Sequence, residues 1–86
     1  MPGMSGARQQ HAAELVTVRK EMNAHGAMTV EAVDSNATRH IAEYETSQLQ
    51  STLQQLPAGA SVPLELRPVG TRGNVWRATA LARPRQ

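Results

Sequence analysis

The sequence predicts an α+β domain: two amphipathic helices with a short intervening strand, followed by a C-terminal β-hairpin. Three observations predict it. Apolar residues recur at spacings of three and four in two stretches free of Gly and Pro, residues 8–25 and 36–56. Between them, Met28, Val30 and Ala32 alternate with Thr29, Glu31 and Val33. Near the end, two alternating runs flank the glycine-containing "VGTRGN".

Residues 1–7 follow no period and are expected to be a disordered N-terminus. Over 8–25 the apolar stripe of a helix is Ala12, Leu15, Val18 or Arg19, and Met22, with Gln9, Glu14, Lys20, Glu21 and Asn23 largely off it. Gly26 suits the position just past a helix, where φ is often positive. Residues 27–33 read as a short extended piece ended by "DSN", with a helix capped by Thr29 as the competing reading. Ser35 or Asn36 then caps the second helix, which runs to Leu56 and is stopped by Pro57. Its narrow seam of Ile41, Glu45 or Tyr44, Leu49, Leu53 and Leu56 suits one partner helix better than the middle of a core.

The hairpin spans 61–81. Pairing Leu66 with Trp76 keeps Leu64, Leu66, Trp76 and Ala78 on one face and sets Glu65 opposite Arg77 on the other. Residues 8–82 thus form a single small domain, and 83–86 a flexible basic tail.

Composition narrows the function. A chain of 86 residues buries only about 60–65 % of its unfolded surface. One Trp, one Tyr and no Phe leave few rings for the core, so a homodimer is expected to cover apolar surface that one chain cannot. Cysteine is absent, which removes disulfides, thiolate metal sites and cysteine nucleophiles. Neither a signal peptide nor an apolar run long enough for a membrane span is visible, so a cytoplasmic protein that engages no membrane is expected.

Charge is distributed unevenly. Residues 1–65 carry four Lys and Arg against seven Asp and Glu, net −3, whereas 66–86 carry five Arg and no acid, net +5. Such asymmetry points to an anionic partner or to contact between opposite ends of neighbouring copies. Arg67, Arg72, Arg77, Arg83 and Arg85 are the candidate anion-binding residues, since guanidinium forks match phosphate.

Catalysis and metal binding are not expected. His11-x-x-Glu14 and His40-x-x-Glu43 have a spacing used in metal-binding helix bundles, but the apolar stripes do not include both pairs. No serine sits in a nucleophile elbow and no glycine-rich phosphate loop is present. A chain this short could hardly enclose a small-molecule pocket of the usual size, and no cofactor is expected. Two readings follow. The first is a non-catalytic, regulatory binding module whose basic hairpin contacts nucleic acid or another anionic surface. The second is a self-associating structural or adaptor protein that meets a protein partner through Leu49, Leu53, Leu56 and Trp76, its arginines docking on acidic surface.

Overall fold

The first helix expected from the sequence is a strand. In the computed structural model, which describes residues 13–70 and 73–82, β1 runs over Glu14–Lys20. Val16 and Val18 are buried and Thr17 and Arg19 point away, a period of two. Leu15, a member of the predicted helical stripe, is 47 % exposed. The consecutive β-branched Val16, Thr17 and Val18 explain the outcome, because they pack better on a pleated surface than on a helix. Of the rest of that predicted helix, 21–25 lie in the loop after β1, and 8–12 lie outside the described residues, as do the N-terminal 1–7 and the tail 83–86.

β2, Met28–Ala32, lies within the piece read as extended and alternates strictly, with Met28, Val30 and Ala32 buried. The second predicted helix is also corrected. Its first half is a strand, β3, Thr38–Tyr44, and only Ser47–Gln54 is helical, as α1. Neither Ser35 nor Asn36 caps it. Asn36 takes a left-handed φ of 59° in the β2–β3 turn, a conformation Asn tolerates, and Thr46 caps α1 by accepting the Leu49 N–H at 3.0 Å. The ladder from Ile41 to Leu53 therefore joins a strand residue to a helix residue, both buried.

β4, Ser61–Pro68, and β5, Val75–Leu81, are antiparallel, but they are not a hairpin laid on helices. Each has a second neighbour: β4 pairs with β1, and β5 lies parallel to β3. The result is a closed barrel in the order β1-β2-β3-β5-β4. The register also differs from the expected one by two residues. Leu66 faces Ala78, Pro68 faces Trp76, and Arg67 rather than Glu65 stands opposite Arg77. Beyond the bulge at Thr79 the difference grows to three, with Leu64 opposite Leu81; the extra residue restores the alternation there, so Leu64 and Ala78 still point inward.

Three bulges close so small a barrel. Arg19 in β1, Ala42 in β3 and Thr79 in β5 are the extra residues where the register shifts, and each bends its strand and increases its twist. The core is Val16, Val18, Met28, Val30, Ile41, Leu53, Leu64 and Ala78. α1 plugs one end through Leu53, with Leu49 and Leu56 packed beside it. Among the described residues no helix is long and apolar enough to cross a membrane.

Candidate functional site

Strand directions place the β2–β3 and β4–β5 loops at the barrel end opposite α1. That mouth is stoppered by polar and aromatic side chains. Arg39 pairs in register with Val30 and so shares the inner side of β3 with Ile41. Its guanidinium carbon lies 4.1 Å from the centroid of the Trp76 ring, and its Nε lies 2.9 Å from a Glu14 carboxylate oxygen. The Nε–H itself makes no hydrogen bond, so the contact with Glu14 is an ion pair with the proton off the line of approach. Trp76 Nε1 donates to Asn74 Oδ1 at 2.6 Å, and Asn74 Nδ2 donates to the Thr38 carbonyl at 2.6 Å. Asn74 thereby ties the end of the β4–β5 loop to the start of β3.

The structure brings together part of the predicted anion site. Arg67 and Arg77 stand directly across from each other on the outer side of β4 and β5, both exposed. Arg77 donates from Nε and Nη2 to one Glu43 oxygen, at 3.1 and 2.8 Å, and this hydrogen bond keeps its guanidinium more firmly protonated than usual. Glu45, Glu65 and Thr79 join the two arginines around an open depression of about 440 Å3. Arg72, in the β4–β5 loop, and Arg83 and Arg85 lie outside the described residues. Of the predicted interface residues, Leu53 is 1 % exposed and Leu49 and Leu56 pack against the barrel's own core, while Trp76 lies half-buried under Arg39.

Sequence reasoning missed the β1–β2 loop and the groove beside it. Asn23 Oδ1 accepts the N–H groups of His25 and Ala27 at 2.9 and 3.0 Å, which folds the loop back on itself. Gly26 then adopts φ 83°, with Gln50 of α1 close enough that a β-carbon would lie 3.0 Å from its amide. The Tyr44 hydroxyl donates to the Gly26 carbonyl at 2.7 Å. "NAHG" followed by a Gly-free strand was the available signal. A groove of about 460 Å3 runs between this loop, the end of β3 and α1, bordered by His25, Glu43, Glu45 and Arg77.

Burial raises the Tyr44 phenol to about 12 from an ordinary value of 10.0. A raised pKa on an acid favours the neutral form in the fold, so its contribution to stability is complete below pH 10 and is lost as pH rises toward 12. Thermal melts of wild type between pH 9 and pH 12 are expected to show a decline that Tyr44→Phe flattens. At neutral pH the same substitution costs about 1 kcal/mol for the lost hydrogen bond. Equal slopes for the two proteins would place the titration elsewhere.

The His40-x-x-Glu43 pair is divided between other tasks. His40 Nδ1 lies 3.1 Å from the Thr29 hydroxyl, while Glu43 holds Arg77. Among the described residues no three His, Asp or Glu side chains converge as a metal site would require.

A five-stranded barrel closed in the order 1-2-3-5-4, with β3 parallel to β5 and a helix between β3 and β4 capping one end, has the architecture of the OB-fold. The chain belongs to a family of unknown function, DUF7999, whose model matches residues 4–82. No curated protein and no solved structure matches it significantly.

Proposed function

We propose that this protein is a non-catalytic, cytoplasmic binding module that holds nucleic acid, with phosphate contacts made by the basic β4–β5 arm. The observation that carries the reading is the placement of Arg67 directly opposite Arg77 on an exposed strand pair. Two guanidinium forks side by side on one exposed face offer bidentate donors that match the oxygens of a phosphate. Arg72 lies in the loop that joins the two strands, and Arg83 and Arg85 follow β5. Barrels of this architecture commonly engage oligonucleotides through the β1–β2 and β4–β5 loops. Glu43 is no obstacle: it and Arg77 are each nearly half exposed, and surface pairs of this kind exchange for other partners at a cost of about 0–1 kcal/mol.

Fluorescence anisotropy with labelled single-stranded and duplex oligonucleotides tests this. Binding is expected to weaken steeply with salt, and Arg67→Glu with Arg77→Glu should reduce the slope of log affinity against log salt by about 1.4–1.8, for two lost phosphate contacts. Absence of binding at low salt would overturn the reading. A protein-binding role would then be favoured, on the observation that Leu15 and Val33, 47 % and 45 % exposed, lie side by side next to Pro63.

A further inference from the structure

We infer that the ligand is gripped by its sugar-phosphate backbone with its bases unread, so that binding does not depend on base identity or even on the presence of bases. This rests on the nucleic-acid reading above and specifies the class of ligand. Proteins that hold single strands usually stack bases on aromatic rings. This chain has two candidates, one Trp and one Tyr, and no Phe.

Both rings are already committed. Trp76 packs against the core and carries the Arg39 guanidinium over its ring at 4.1 Å. Its N–H is held by Asn74, which is itself anchored to β3. A base could stack there only by displacing Arg39 from the ring and from Glu14 together. Tyr44 also packs against the core, with its hydroxyl on the Gly26 carbonyl.

The outer side of β2 and β3, the usual platform of such barrels, has no replacement. It presents Thr29, Glu31, His40 and Ala42. The cations bordering it face carboxylates, Arg19 with Glu31 at 3.4 Å and Arg77 with Glu43 at 2.8 Å. His25 and His40 are the exposed rings among the described residues, and His40 has one nitrogen engaged by Thr29. The remaining recognition chemistry is guanidinium, which suits the planar, bidentate geometry of phosphate oxygens.

The test compares, for the full chain at low salt, a labelled oligodeoxynucleotide with an abasic strand of equal length and charge. The expected result is affinities within about threefold, since phosphate number rather than base content sets the interaction. A single stacked base would open a gap of about tenfold or more, and that outcome overturns the inference while leaving nucleic-acid binding intact. Failure of both strands to bind removes the underlying reading and this inference with it. His25→Ala with His40→Ala supplies an independent arm: unchanged affinity for the base-bearing strand is expected, and a loss comparable to that of one stacked base, about tenfold, overturns the inference.

Discussion

Leu53→Ala is expected to lower the free energy of unfolding by about 2–5 kcal/mol, from lost apolar transfer and an unfilled cavity. Leu53 is among the largest fully buried side chains and the sole fully buried residue of α1. An isolated helix of eight residues has no stability of its own in water, so its position depends on that plug. Small domains are stable by only about 5–15 kcal/mol, and the loss is a large share. Urea denaturation followed by the fluorescence of Trp76 measures it, with half-buried Leu49→Ala as the milder comparison. An unchanged midpoint for Leu53→Ala would show that the barrel closes without its helix.

Arg39→Ala is expected to cost about 1–3 kcal/mol and to shift the emission of the single tryptophan to longer wavelength. The magnitude combines a cation–π contact of about 0.5–2 kcal/mol with a partly shielded ion pair. Both partners keep some solvent, with Arg39 and Glu14 side chains 20 % and 35 % exposed, so the full penalty of a stranded buried charge does not apply. Removing the guanidinium uncovers the indole and leaves Glu14 facing it. Arg39→Met should restore part of the packing but not the charge, and Glu14→Gln should cost less than Arg39→Ala. Additivity of Glu14→Gln and Arg39→Met in a double-mutant cycle would show that the two side chains do not cooperate.

The contrast between the helices the sequence predicts and the strands found has a local cause. In 8–25, Leu15 and Val18 satisfy a helical spacing, yet Val16, Thr17 and Val18 together carry a β preference that the spacing does not register. In 36–56 the apolar series Ile41, Leu49, Leu53 crosses an element boundary, and the break is marked by Thr46, a capping residue ahead of a helix of only eight residues. Neither segment has strict polar-apolar alternation to betray a strand: in β1 the outward Leu15 is apolar, and in β3 the inward Arg39 is charged and a bulge at Ala42 interrupts the period of two. Inward-facing residues of 61–81 were more legible, since Leu64 with Leu66 and Trp76 with Ala78 are fixed to one face by alternation within each strand, whatever the register between them. The opposition of Arg67 to Arg77 depended on the register itself and could not be read from alternation. Arg39 gave no local signal at all: its role arises from Glu14 and Trp76, brought to it from strands distant in sequence.

The order of the strands bears on how the chain is made. β5 inserts between β3 and β4, so the last of the five barrel strands to be synthesised is the one that joins the two halves of the sheet. Until residues 75–81 emerge, β3 and β4 each present a bare hydrogen-bonding edge, and β1 must find β4 some 50 residues away in sequence, judging from partners such as Glu14 and Leu64. Distant pairings of this kind slow folding, and open edges invite association with other nascent chains. A chain cut short before Val75 therefore loses more than one strand: it becomes a sheet with two unsealed borders, prone to aggregate.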